Sequence, residues 1–271
     1  MKKIITLLLI VAVTFVSCEK KHKKKPSKYQ YLNQTEASII KKLKLRIIRQ
    51  LPHNGNKRYV QGFEFYKGIL YESTGEYNFS SLKKIDPKTG KLLQTKDIAT
   101  YFAEGITILN GNLFLLSYRE GKANLFNPDN FAEKNITFTY QDEGWGLTND
   151  GKSLIMSNGS DKIFYRNPIT FNVEKEVSVT YNGNPIEYIN ELEYVDGKIY
   201  ANIYGVGTIM VINATSGLVE AEIDASAIDC AQLPQTDREA VLNGIAYNPA
   251  SKTFYITGKR CPNIYEVAFD E

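Results

Sequence analysis

Five segments of the chain share one pattern, and their spacing limits the fold more than any other feature. "QGFEFYKGILYEST" begins at Gln61, "EGITILNGNLFLLSY" at Glu104 and "GWGLTNDGKSLIMSN" at Gly144. "NELEYVDGKIYANIY" begins at Asn190 and "NGIAYNPASKTFYIT" at Asn243. Each reads as an apolar strand, a tight turn and a second apolar strand. The turns carry Lys67-Gly68, Asn110-Gly111, Asp150-Gly151 and Asp196-Gly197, with Asn248-Pro249 in the last copy. Asn-Gly and Asp-Gly between strands mark hairpins, because both turn residues adopt positive φ. A second hairpin half follows in 82–98, 123–138, 162–179 and 208–225. It consists of a strand, a turn rich in Pro, Asp, Asn, Thr and Gly, and an outward strand.

The turn glycines recur after 43, 40 and 46 residues. Four strands at that period predict an all-β, five-bladed β-propeller with four-stranded blades. A β-sandwich could use the same hairpins but has no need of the regular period. The fifth copy, 243–271, is long enough for only three strands, and "LKLRIIRQL" (43–51) supplies the fourth. The last blade is therefore expected to be closed by an N-terminal strand. The step to the fifth copy is longer, and its surplus falls in "AIDCAQLPQTDREAV" around Cys230.

The segments ahead of the repeats read differently. Lys2 and Lys3 precede an apolar run, 4–16, that is too short to span a bilayer and suits a signal segment. "FVSC" then places a small residue before Cys18, the pattern of a bacterial lipoprotein cleavage site. Residues 1–17 are expected to be removed, leaving lipid on Cys18. Residues 18–42 read as a Lys-rich tether and lead-in, and 43–271 as the propeller. The protein is thus expected to be exported and lipid-anchored in a bacterial cell envelope or periplasm. Glu19 points to the outer membrane rather than inner-membrane retention.

Charge narrows the partners. The net charge is +3. Lys2 and Lys3 carry two positive charges, and 19–28, with six Lys against one Glu, carries five more, leaving the rest at −4. A body of that sign argues against nucleic acid as a partner. Cys230 and Cys261 remain after Cys18, and an exported location predicts that they form one disulfide.

In a propeller the first strand of each unit lines the central channel. Its leading positions here are Gln61, Glu104, Gly144 (after Glu143), Asn190 and Asn243. Buried polar groups need partners, so these converge on each other, water, an ion or a ligand near one channel mouth. Trp145, Tyr118, Tyr204 and Lys259 fall near the same face. Aromatic walls with Glu, Asn, Gln and Lys suit a small group carrying an amine or amide. The same residues serve a purely structural channel equally well, so pattern alone leaves both readings open. The only histidines are His22 and His53, so no His and Cys cluster is available for catalytic zinc. "GWG" and "NGS" lack the strand, loop and helix context of a phosphate site.

"YVQGFEF", "AEGITILNG", "EGWGLTNDGKSLIMSNGS", "INELEYVDGKIYAN" and "VLNGIAYNP…FYITGK" closely resemble the plant and bacterial type of glutaminyl-peptide cyclotransferase. The resemblance runs from about Leu43 to the C-terminus, with one motif set per blade. It implies a five-bladed propeller of the aminoacyltransferase class that converts N-terminal Gln of peptides or proteins to pyroglutamate, releasing ammonia. It implies no catalytic zinc and no other cofactor, with room for a structural channel cation. The family's acid/base Glu falls on Glu104, its Asn on Asn190, its Lys on Lys259, its Gln on Gln61 and its Trp of "EGWGLT" on Trp145. Glu104, Asn190 and Lys259 are therefore expected to be catalytic. Tyr59, Gln61, Tyr118, Trp145, Tyr204 and Asn243 are expected to bind substrate. Tyr118 and Tyr204 stand where the family has Trp, Tyr59 where it has Phe, and Cys261 where it has Trp. Two other functions fit the bare pattern. One is a non-catalytic lipid-anchored binding module. The other is a propeller lactonase using a divalent cation near Glu104, Glu143 and Glu191.

Overall fold

The computed structural model describes residues 40–54, 59–228, 230 and 239–270. Signal segment 1–17, Cys18 and all of the tether up to residue 39 lie outside the described residues. The described elements are all strands. The first, β1 (Lys41–Pro52), starts two residues before the expected strand. Then β2 (Val60–Tyr66), β3 (Ile69–Thr74), β4 (Ser80–Ile85) and β5 (Leu92–Ile98) pair in that order as one antiparallel sheet.

The same sheet recurs as β6 (Ala103–Leu109), β7 (Asn112–Ser117), β8 (Lys122–Phe126) and β9 (Glu133–Thr139). It recurs again as β10 (Leu147–Asn149), β11 (Leu154–Ser157), β12 (Lys162–Arg166) and β13 (Val173–Ser178). A short hairpin, β14 (Thr180–Tyr181) with β15 (Asn184–Pro185), separates these from β16 (Ile189–Val195), β17 (Lys198–Ile203), β18 (Thr208–Asn213) and β19 (Val219–Asp224). Last come β20 (Leu242–Asn248), β21 (Thr253–Gly258) and β22 (Asn263–Asp270).

β1, the first described strand, pairs with the last. It runs antiparallel to β22, pairing Lys44 with Asp270 and Pro52 with Asn263, which gives the last three strands their fourth. Its first residues, Lys41 to Lys44, also run parallel to Ala221 to Asp224 of β19, so the ladders continue into one eight-stranded sheet.

Composition fixes which strand lies inside. Every residue of β6 is buried, whereas β9, with Glu133, Lys134 and Asn135, is almost wholly exposed. The core lies between neighbouring sheets. Leu82 and Tyr71 pack with Ile106 and Leu115, and Leu125 and Phe114 with Leu154 and Met156. Ile155 packs with Leu192, Val211 with Ile256, and Ile264 with Leu70. The leading strands β2, β6, β10, β16 and β20 lie beside one another in that order, and β20 lies beside β2.

Three turns are built as the sequence predicts. Lys67-Gly68, Asn110-Gly111 and Asp196-Gly197 all have positive φ at both residues. Asp150-Gly151 differs, since only Gly151 has positive φ. Here the Asp150 carboxylate accepts the Lys152 and Ser153 amides at 2.9 and 2.6 Å and shapes a longer loop.

The structure records no bond between Cys230 and Cys261, where a disulfide was expected. Both residues are fully buried, and the Cys230 side chain hydrogen-bonds that of Cys261. Each sits in the apolar cluster formed by β18, β19, β20, β21 and β22.

Candidate active site

The polar residues that lead the inner strands sit on irregularities of the ladder. Register shifts fall between Val60 and Gly62, Ala103 and Ile106, Ile189 and Leu192, and Leu242 and Ile245. Those intervals contain Gln61, Glu104, Asn190 and Asn243. A bulge turns a side chain away from the regular alternation, which is how an apolar strand presents a single polar group to the channel mouth. Glycine lets the neighbouring strands close in behind. A Cβ on Gly105 would lie 2.5 Å from the Leu147 amide nitrogen, and one on Gly146 would lie 2.1 Å from the Asn190 carbonyl oxygen.

A cavity of about 260 Å³ opens at this end. Glu104, Gln61, Asn190 and Lys259 contribute its polar wall, and Tyr59, Tyr118, Trp145 and Tyr204 its aromatic wall. Eight of the nine expected catalytic and substrate-binding residues therefore meet in one pocket. The ninth, Asn243, is not in the wall. It is fully buried behind Gln61, donating its amide to the Val60 carbonyl at 2.9 Å and to Gln61 Oε1 at 3.1 Å.

Glu104 is 3% exposed, and its Oε1 accepts a hydrogen bond from Gln61 Nε2 at 2.9 Å. Burial pushes its carboxyl well above the usual carboxylate range; Lys259 opposes this, while Glu143 and Glu120 add to it. Lys259 responds in the opposite direction. Burial lowers its ammonium below the usual lysine value against the pull of Glu104 and Glu239. Asn190 Oδ1 is buried with no hydrogen-bond partner among the described residues. A ligand N–H would meet that unsatisfied acceptor.

The aromatic residues form a continuous wall. Trp145 meets Tyr204 edge-on at 6.2 Å, and its indole N–H donates to Glu143 at 3.0 Å. Glu143 also accepts from Arg119 at 2.9 Å. On the other side Phe102 contacts Tyr118 at 5.5 Å and Tyr59 at 6.1 Å.

Phe102 and Glu239 complete the wall and were not expected from sequence. Phe102 stands two residues ahead of Glu104, as Tyr59 stands two ahead of Gln61. That offset is the signal that identifies it. Glu239 lies in the surplus outside the repeat, where no periodic signal reaches.

The acidic residues weighed for a cation do not converge. Glu191 accepts the Phe63 and Ile245 amides at 3.1 and 2.8 Å, while Glu143 stands at the rim with Arg119. No group of three or more His, Cys, Asp or Glu among the described residues is placed to hold a metal ion. His53 is buried away from the pocket wall. Its ring contacts Glu72 at 2.6 Å and the Cys261 carbonyl at 3.1 Å.

Comparison with known proteins agrees with this geometry. Residues 11–269 match the family model described as glutamine cyclotransferase. The chain is 32% identical over 228 residues to the glutaminyl-peptide cyclotransferase of Arabidopsis thaliana, covering 82% of this chain and 70% of that protein. The crystal structure of Myxococcus xanthus glutaminyl cyclase superposes with a TM-score of 0.79 at 33% identity, covering 85% of this chain and 98% of that one.

Proposed function

The chain belongs to the glutamine cyclotransferase family and is a glutaminyl-peptide cyclotransferase, and we propose that the pocket around Glu104 carries out the cyclisation. The reaction converts an N-terminal Gln to pyroglutamate. The substrate's α-amine attacks its own side-chain amide carbon, a C–N bond forms, the bond to the amide nitrogen breaks, and ammonia leaves. One proton moves from the attacking nitrogen to the departing one. Nucleophile and electrophile are in one molecule, so the protein's first task is conformational. Trp145, Tyr118 and Tyr204 fold the Gln side chain back over the amine.

An N-terminal amine has a pKa of about 7.7–8.0, so a useful fraction is neutral near pH 7. The departing nitrogen needs a proton. Glu104, as carboxylate, takes the proton from the attacking nitrogen and delivers it to the leaving one. Its raised pKa makes it an effective donor in the second half. Lys259 and the Asn190 amide stabilise the oxyanion that develops between the two transfers. Gln61 holds the Glu104 carboxylate and orients the substrate amide. The observation that carries this reading is the buried Glu104 carboxyl at the foot of an aromatic-walled pocket, hydrogen-bonded by Gln61. Replacement Glu104→Gln keeps shape and burial but cannot shuttle a proton. Turnover is expected to fall about 10²–10⁴-fold with the thermal unfolding midpoint retained; wild-type turnover in that variant would overturn the assignment.

We further infer that the sheets are five blades, the eight-stranded sheet being two blades joined through β1. The order of contact among the leading strands supports this, as does the core between each pair of neighbouring sheets. The catalysis needs no zinc in this reading, because every step is assigned to Glu104, Lys259, Asn190 and the aromatic wall. Export and lipid attachment at Cys18 rest on the apolar run and "FVSC". A Cys18→Ser variant that stays with the membrane in a fractionated cell would contradict them.

A further inference from the structure

Glu239 stands outside the repeat, yet its backbone is tied to that of Lys259. The Val241 amide donates to the Glu239 carbonyl at 3.1 Å, and the Lys259 amide donates to the Val241 carbonyl at 2.9 Å. The side chains are tied as well. The Tyr59 hydroxyl donates to Glu239 Oε2, and the Tyr204 hydroxyl approaches the same oxygen at 3.5 Å. The rings of these two tyrosines flank Lys259 Nζ at 4.7 and 4.9 Å. Carboxylate, two phenols and ammonium thus form one closed group in the pocket wall.

We propose that Glu239 is a positioning residue for Lys259, holding both tyrosine rings against the ammonium and keeping it charged when Glu104 has taken up a proton. The inference rests on the cyclisation reading above, in which Glu104 alternates between carboxylate and acid. Two carboxylates act on Lys259, Glu104 from β6 and Glu239 from the segment before β20. Around them, Arg260 approaches the Tyr59 ring at 5.9 Å and faces Glu76, and Glu143 and Glu120 act on Glu104. Each time Glu104 is protonated, Lys259 loses one of its two counter-charges. A buried ammonium with no counter-charge gives up its proton, and the oxyanion then loses its cation. Glu239 takes no part in the proton transfer.

The test uses Glu239→Gln, which removes the charge, and Glu239→Asp, which keeps it, each in the full chain. Two readouts are compared across alkaline pH. One is the rate of Lys259 acylation by acetic anhydride, followed by peptide mass. The other is kcat on a peptide with N-terminal Gln. In Glu239→Gln the acylation midpoint and the alkaline limb of kcat both move down by about one pH unit, a tenfold loss of charged lysine at a fixed alkaline pH. Glu239→Asp restores most of the shift. Should Glu239→Gln fail to fold, Tyr59→Phe, which loosens the same carboxylate, shows the displacement in smaller measure.

An unmoved acylation midpoint in a folded Glu239→Gln protein overturns the proposal. So does a change in KM alone with the alkaline limb in place. Acylation needs no turnover, so it judges Glu239 separately; a wild-type protein that leaves Gln peptides unchanged would count against the cyclisation reading instead.

Discussion

Gln61 donates its side-chain amide to Glu104 at 2.9 Å and accepts from Asn243 at 3.1 Å through its own oxygen. The relay Asn243 to Gln61 to Glu104 crosses three inner strands, β20, β2 and β6, and fixes which way the Gln61 amide faces. Removing its far end should therefore act on chemistry rather than on binding. Asn243→Ala is expected to lower kcat about tenfold, the scale of one buried hydrogen bond, while KM changes little. Steady-state ammonia release measures both, and a KM effect alone would place Asn243 in contact with substrate.

The pH profile follows from the two shifted groups. Glu104 must be a carboxylate when the amine attacks, and burial raises its pKa well above the usual 4.5. As pH falls through that raised value the group is protonated and the rate drops. Lys259 must be charged, and burial lowers its pKa from the usual 10.5. As pH rises through that lowered value the oxyanion loses its cation. The expected kcat profile is a bell whose acid limb lies above the ordinary carboxylate range and whose alkaline limb lies below the ordinary lysine range. An acid limb at the ordinary carboxylate value would place another group in the Glu104 role.

In the proposed reaction Trp145 contributes to binding rather than to chemistry. Its indole N–H is fixed by Glu143 at 3.0 Å and its ring lies against Tyr204. Trp145→Ala removes one side of the wall against which the Gln side chain folds. KM for a Gln peptide is expected to rise at least about tenfold, equivalent to about 1.4 kcal/mol and typical for loss of an aromatic contact. Trp145→Phe should recover most of it.

Away from the pocket, Glu72 is expected to contribute to the acid sensitivity of the fold. It is fully buried between His53 at 2.6 Å and Lys83 at 2.8 Å. Burial pushes its carboxyl up, but His53 and Lys83 together override this and hold it at about 2. The folded pKa is depressed below the usual 4.5, so the stabilisation is complete above that value and is lost as pH falls from about 4.5 to about 2. Glu72→Gln is expected to lower stability at neutral pH by about 3 kcal/mol. Its denaturation midpoint should also vary less across that acid window. Equal acid sensitivity in variant and wild type would remove Glu72 as the cause.

Much of this was legible in the sequence because the four-stranded sheet repeats. Each inner strand is apolar behind one polar leader, so Gln61, Glu104, Asn190 and Asn243 can be picked out by position. The leaders share a mouth because each sits on the same bulge. What the repeat could not reveal is which leader faces the pocket and which supports it from behind. Asn243 and Gln61 hold equivalent positions, but the Asn243 side chain is drawn to the Val60 carbonyl and the Gln61 amide. Glu239 was illegible for a different reason. It reaches Lys259 through backbone pairing of Val241, outside any period. Cys230 and Cys261 do lie side by side, but a count of cysteines carries no geometry, so the sequence could not show whether they are bonded.

In the proposed cyclisation Glu104 moves the proton and no metal takes part. The most direct measurement incubates wild type and Glu104→Gln with a short peptide bearing N-terminal Gln, with and without a strong chelator. Ammonia release and the matching loss of mass from the peptide are followed together. Wild-type turnover is expected to be equal with and without chelator, and Glu104→Gln to lose about 10²–10⁴-fold. Turnover abolished by chelator, or retained in a folded Glu104→Gln protein, would contradict it.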